Sequence, residues 1–287
     1  MAANGNKLTF GWAVIYVCFA PESGPFSGGS LMSAFNPKRT LTTKDGMKRG
    51  RIHFHWWCRS HVPTGFVLID RGLVHFFRAP HSLGNGHMTS VLNRINPQHV
   101  HSDPFHYLTT TEALEAGYYE TLAAHFPDFS DHPGTRENNA MIHMSGLHAF
   151  ADEIPINPIW QDFMRFHFSI DFFREIITHL GDGIRHTYPD LEERLGKRFE
   201  ELTVQPRYTD DVGADLWIDV QFTINTPVRE VSRVRRRHID SPHKLFSGLF
   251  YMRAPDDDAI GGDLEICRWL AEPQFQSVMV HDHLAEP

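Results

Sequence analysis

At 287 residues, with 41% hydrophobic and 12% aromatic content, the chain is long enough to bury one large core or two ordinary ones. A formal net charge of −8 leaves no general basic field for nucleic acid, and three cysteines without a Cys-x-x-Cys exclude a disulfide framework and a thiolate zinc site. A reducing, cytoplasmic setting is the expectation.

Residues 1–95 read as a poorly patterned N-terminal extension. Gly/Ser/Pro clusters at Glu22–Ser30 and Ala79–Gly86 alternate with aromatic and histidine-rich pieces, and neither the helical nor the strand period is sustained. Leu8–Ala20 is mostly apolar but is only thirteen residues long behind a single Lys7, too short to span a bilayer, and no membrane partner is expected. His53, His55, Cys58 and His61 match the spacing of no standard zinc site, so a zinc site there is only a third and weaker reading. Met88 is an alternative start, with the preceding residues outside the folded protein.

From residue 96 onward the pattern is that of a domain, with helices over 104–196 and strands over 199–287. Thr109 to Glu112 has the form of a capping box ahead of Leu114, Tyr118, Leu122 and Ala123, which predicts a helix from about Thr110 to His125, closed by Phe126-Pro127. Asn157-Pro158 opens a second helical region. There Trp160, Phe163, Met164, Phe168, Phe172, Phe173, Ile176, Ile177 and Leu180 recur at three and four up to Gly181, a stripe that reads as core. Pro189–Leu195 adds a short helix.

The period then changes to two. Leu216, Ile218, Val220, Phe222 and Ile224 alternate with Trp217, Asp219, Gln221, Thr223 and Asn225, which predicts a half-buried strand. Further strands are expected at Glu230–Arg237, Lys244–Arg253 and Asp263–Trp269. Helices followed by successive strands argue for an α+β fold, a helix-buttressed sandwich or jelly roll, not for alternating βα units.

One short stretch carries chemistry. His238 and Asp240, two residues apart at a strand end, point to the same side because side chains alternate along a strand. An imidazole and a carboxylate, joined by one further histidine, form the facial triad that holds non-haem ferrous iron. Taken alone the pair also fits a surface loop. The basic cluster Arg233, Arg235, Arg236 and Arg237 before it reads either as a solvated strand face or as a contact for an anionic ligand.

The surrounding sequence sharpens this reading. His238-Ile239-Asp240-Ser241-Pro242, the run Lys244-Leu245-Phe246-Ser247-Gly248-Leu249-Phe250-Tyr251-Met252, Asp256–Asp258 and Gly261-Gly262-Asp263-Leu264-Glu265-Ile266 together resemble the 2-oxoglutarate- and Fe(II)-dependent oxygenases of the prolyl-hydroxylase-like branch. The resemblance spans roughly residues 100–270. It implies a double-stranded β-helix, a cupin-like jelly roll buttressed by N-terminal helices such as the one holding Tyr118–Phe126. It further implies His238 and Asp240 as iron ligands, 2-oxoglutarate as cosubstrate facing Ser247 and Tyr251, and hydroxylation of a C–H bond in a small-molecule or peptidyl substrate.

The chain departs from that pattern after the Gly-Gly turn. Relatives place a distal histidine several strands later and a cation for the far carboxylate of 2-oxoglutarate beyond it, whereas 25 residues follow Gly262 here and no Arg or Lys follows Arg268. Two readings result. In one, His281 or His283 completes the metal site and an arginine of the 233–237 cluster supplies the cation. In the other, the chain is a truncated, inactive jelly-roll remnant that acts as a binding module.

Overall fold

The computed structural model describes residues 89–129, 131–138, 140–146, 156–207, 213–226 and 244–252, together with the backbones of strands 12–16, 31–36, 52–60 and 263–268. Among the described residues ten strands form two sheets. They are β1 (Trp12–Tyr16), β2 (Leu31–Asn36), β3 (Ile52–Ser60), β4 (Val100–His101), β5 (Tyr107–Thr110), β6 (Met141–Ser145), β7 (Val204–Pro206), β8 (Leu216–Asn225), β9 (Lys244–Met252) and β10 (Asp263–Arg268). The larger sheet runs β4-β5-β1-β9-β3-β8-β6, with β7 added in parallel beside β8, and β10 pairs with β2 in the second. Three strands from within residues 1–95 therefore take part, and β3 lies between β9 and β8.

Strand β8 occupies the residues whose alternation predicted it. Its apolar set, Leu216, Ile218, Val220 and Phe222, faces the helices and is at most 1% exposed. Register places Phe250 of β9 in the same row as Phe222, through Phe54 of β3. Onto this face pack α1 (Ala116–Ala124), α2 (Pro158–His167) and α3 (Ile170–Thr187). Trp160 meets Phe222 edge-on at 5.1 Å between ring centroids and Phe126 at 5.4 Å, while Tyr119 and Phe163 close on Phe250. The Trp160 indole donates to Leu122 O at 2.8 Å, so its one polar atom is satisfied inside the core.

The helices differ from expectation in three places. Thr109 and Thr110 belong to β5, where Thr110 Oγ1 accepts from the Glu112 amide, and α1 starts only at Ala116, capped by no side chain. The polar capping pattern was satisfied by a turn, the competing use of the same Thr hydroxyl. The long apolar stripe is cut at Phe168: Ser169 accepts from the Phe172 amide at 3.3 Å and starts a new helix, which lets the stripe turn while staying on the core. Finally, α3 runs through Gly181 to Thr187. Gly183 is buried, and a Cβ built there would stand 2.6 Å from the His106 side chain, so this glycine admits a close approach and does not stop the helix. The short helix α4 (Leu191–Leu195) ends at Gly196, whose φ of 67° is the left-handed closure that glycine favours.

Two further observations fix the helical layer. Arg185 on α3 bonds Glu192 and Glu200, tying α3 to α4 and to the turn at Phe199–Glu201. His167, wholly buried, accepts the Val91 amide on Nε2 and places Nδ1 2.6 Å from Phe163 O, so the neutral imidazole with its proton on Nδ1 satisfies both contacts. Burial drives its pKa down from 6.5 to about 3. Val91 and Leu92 are at most 1% exposed, so residues just before 96 are part of the packed core.

Candidate functional site

The sheet face turned away from the helices holds the polar half of the pattern. Along β8 it carries Trp217, Asp219, Gln221 and Thr223; along β9, Leu245, Ser247, Leu249 and Tyr251; beside β8, Gln205 and His143. Much of this face is enclosed: Asp219 and Thr223 are 0% exposed, Leu245 1%, Ser247 4% and Leu249 6%, while Trp217, Gln221 and Tyr251 are half-buried and His143 is exposed.

Register sets two rows. Asp219 on β8 lines up with Ser247 on β9 through Trp57 of β3, and Thr223 lines up with Tyr251 through His53. With neighbouring strands about 4.8 Å apart, each pair spans roughly 10 Å across the sheet. Ser247 and Tyr251, the two residues the resemblance assigns to 2-oxoglutarate, thus lie on one face, with the Ser247 side chain and the Tyr251 hydroxyl buried. Thr223 meets His143 Nδ1 at 3.1 Å on the neighbouring strand.

At the other end of the face lies a charged group that the sequence reading missed. Asp219 Oδ2 accepts from Gln221 Nε2 at 2.9 Å and from Arg207 Nη1 at 3.4 Å, and the Arg207 side chain is 27% exposed while Asp219 is wholly enclosed. Burial pushes the Asp219 carboxyl above the ordinary carboxylate range, against the opposing pull of Arg207 and of the Gln221 hydrogen bond. Next to them the buried Gln205 Oε1 has no hydrogen-bond partner. The signal was present as the odd-numbered half of the β8 alternation. It was assigned to solvent because period two reports which residues share a face, not what covers that face.

His238 and Asp240 lie outside the described residues, as do His281 and His283, the arginines 233–237, the expected strand Glu230–Arg237 and the Gly261-Gly262 turn. His53, His55 and Cys58 are described only as backbone in β3, and His61 lies outside. Among the described residues no group of three or more His, Cys, Asp or Glu is placed to hold a metal ion, and no helix is long and apolar enough to cross a membrane. No family model, curated protein or solved structure matches the chain.

Proposed function

We propose that the protein is a 2-oxoglutarate- and Fe(II)-dependent oxygenase that hydroxylates a C–H bond of a small-molecule or peptidyl substrate in a reducing cytoplasm. The observation that carries the proposal is His238-Ile239-Asp240 in the sequence followed by a strand that buries Ser247 and the Tyr251 hydroxyl on one face.

Strand directions support a jelly roll around that face. β3 is antiparallel to both β8 and β9, so β8 and β9 run the same way, and the chain that leaves β8 at Asn225 must travel back about 30 Å, at 3.3 Å per residue, to enter β9 at Lys244. Residues 226–243 are long enough to do this as an additional strand, and β10 then joins a different sheet from β9. Consecutive strands that alternate between two layers are the pattern of a double-stranded β-helix. Burial of β9 on both faces, from Leu245 to Phe250, fits a strand inside such a sandwich. Asp240 precedes the first residue of β9, the strand that carries Ser247, by four in the sequence.

His238 and Asp240, with His281 as the third donor, would supply the imidazole and carboxylate set that suits ferrous iron. Iron bound there would supply oxygen activation, coupled to conversion of 2-oxoglutarate to succinate and carbon dioxide, with one oxygen atom of O2 entering succinate and the other the hydroxyl group. The chain's own residues bind and orient. The Ser247 and Tyr251 hydroxyls donate to carboxylate oxygens of 2-oxoglutarate, and their burial keeps water from competing for them.

The test is anaerobic reconstitution of the full chain with ferrous iron and 2-oxoglutarate. A metal-to-cosubstrate charge-transfer absorption band is expected, lost in His238→Ala and in Asp240→Ala. Wild-type protein without the band overturns the oxygenase reading and leaves the binding-module reading, in which ligands stabilise the fold without iron.

A further inference from the structure

The β4 end of the large sheet holds a cavity of about 260 Å³, lined by Gln98, His99, His101, Thr109, Thr110 and Thr111. The pairing of β4 with β5 stops at Val100 and Leu108, where the chain leads back into the single helical turn Pro97–His99. One wall comes from that turn and β4, the other from the end of β5. Register ties this wall to the face proposed for 2-oxoglutarate. His101 pairs with Tyr107 on β5, Tyr107 with Tyr16 on β1, and Tyr16 with Ser247 on β9. His101 and Ser247 therefore stand in one row on one face, three strand spacings or roughly 14 Å apart.

The walls are fixed before any ligand arrives. Asn96 Oδ1 accepts the Gln98 amide at 2.9 Å, and His99 Nδ1 accepts the Asn96 amide at 3.2 Å. His101 Nε2 meets Thr109 Oγ1 at 3.2 Å, and its ring stacks on Tyr107 with 4.7 Å between centroids. With Nδ1 accepting, the neutral His99 ring carries its proton on Nε2 and presents a donor there. A ligand entering this cavity is spared the cost of ordering its walls.

We infer that the cavity binds a single neutral sugar ring. Threonine, glutamine and neutral histidine each present both a donor and an acceptor, the two roles of a sugar hydroxyl, and the threonine methyl groups suit its C–H face. None of the six lining side chains is a carboxylate, an ammonium or a guanidinium. An ionic ligand would thus give up hydration without meeting a counter-charge, and a purely apolar one would strand the hydroxyls and the carboxamide. The volume falls just under the range of about 300–1,000 Å³ typical for drug-sized ligands, which fits one ring and not a nucleotide cofactor. Binding here requires neither iron nor 2-oxoglutarate. On the oxygenase reading, the sugar is an anchoring group of the substrate, held away from the reacting C–H bond.

The experiment is saturation-transfer NMR and calorimetry on the full chain, free of iron and 2-oxoglutarate, at about pH 8, above the ordinary imidazole range. The probes are neutral hexoses, pentoses and N-acetylhexosamines, each beside its uronic acid or its cationic amino sugar. At least one neutral sugar is expected to bind with a dissociation constant of about 1 mM, and its charged counterpart more weakly by about tenfold. Gln98→Ala truncates an exposed side chain, and His101→Phe keeps a ring on Tyr107 while deleting the nitrogen that meets Thr109. Both are expected to melt close to wild type and to weaken sugar binding by about fivefold or more, a combination that purely structural residues do not produce. If His101→Phe does not fold, Gln98→Ala carries the test. Absence of binding by every neutral sugar, equal or tighter binding of the charged forms, or undiminished binding in Gln98→Ala overturns the inference. None of these outcomes bears on the anaerobic iron band, so the two proposals fail separately.

Discussion

The two faces of the large sheet are buried by different chemistry. On the helical side, Phe222 and Phe250 meet Trp160, Phe126, Phe163 and Tyr119, a set of rings in which the one indole N–H is satisfied by a backbone carbonyl. On the other side, Asp219 and Thr223 are enclosed as completely, Ser247 and the Tyr251 hydroxyl are buried, and Trp217, Gln221 and the rest of Tyr251 are only partly covered. Apolar burial stabilises wherever it occurs, but enclosing Asp219 costs free energy that its contacts with Arg207 and Gln221 only partly offset. The binding proposal rests on polar groups kept buried against that cost, and the face filled with rings supplies stability.

The largest expected effect breaks the helical face. Phe222→Ala removes a ring that touches both Trp160 and Phe126 in a region with 0% exposure, and should destabilise the protein by about 3–5 kcal/mol in chemical denaturation. A cost below about 1 kcal/mol would mean that this face is loosely packed, and the contrast between the faces would fail.

Next in size is Gly183→Ala. The new methyl group would stand 2.6 Å from His106 Cβ and Cγ, and since Cβ is anchored to the backbone, β5's approach or α3 itself must shift. The expected cost is about 1–3 kcal/mol despite alanine's better helix propensity. A stabilised variant in the same denaturation assay would show that His106 yields easily.

Acid should reach the two faces with opposite signs. His167 in the folded protein has a pKa near 3, below the ordinary 6.5, so the unfolded chain binds more protons between these values and stability falls as pH drops from about 6.5 towards 3. Protonated His167 would also present a donor to the Val91 amide in place of an acceptor. Asp219 has a raised pKa, so its contribution is lost as pH rises through its folded value. His167→Gln keeps a donor and an acceptor but cannot titrate. The fall in melting temperature between neutral pH and about pH 4 should therefore be shallower than in wild type. An unchanged slope would place the acid sensitivity elsewhere.

The helical face was largely legible in the sequence, because its physics is periodic. The β8 alternation and the 160–180 stripe predicted the rings that meet, and Asn157-Pro158 marked the start of α2. Boundaries escaped where one local signal had two uses. Thr110 caps a turn and not a helix, Ser169 starts a helix inside an unbroken stripe, and Gly183 gives clearance where a glycine commonly gives an end. Only part of the polar face was legible. Ser247 and Tyr251 were named from a resemblance and do share a buried face, but Gln205, Arg207 and Asp219 were not singled out. Their significance lies in a parallel pairing between β7 and β8 and in what encloses them, which no linear pattern encodes.

The smallest expected change in stability comes from Ser247→Ala, and it separates the two faces most directly. The hydroxyl is buried, so its loss should cost only about 1 kcal/mol, several-fold less than the loss of the Phe222 ring. Its effect on ligand should be the larger one. If Ser247 donates to a 2-oxoglutarate carboxylate, the iron-dependent absorption band should need roughly tenfold more 2-oxoglutarate to saturate, with the maximum amplitude preserved because iron is held by other residues. A structural serine predicts the reverse pattern: a lower melting temperature with an unchanged saturation curve. Titrating 2-oxoglutarate into Ser247→Ala and wild type, side by side with denaturation of both, decides whether this face is enclosed for binding or only for packing.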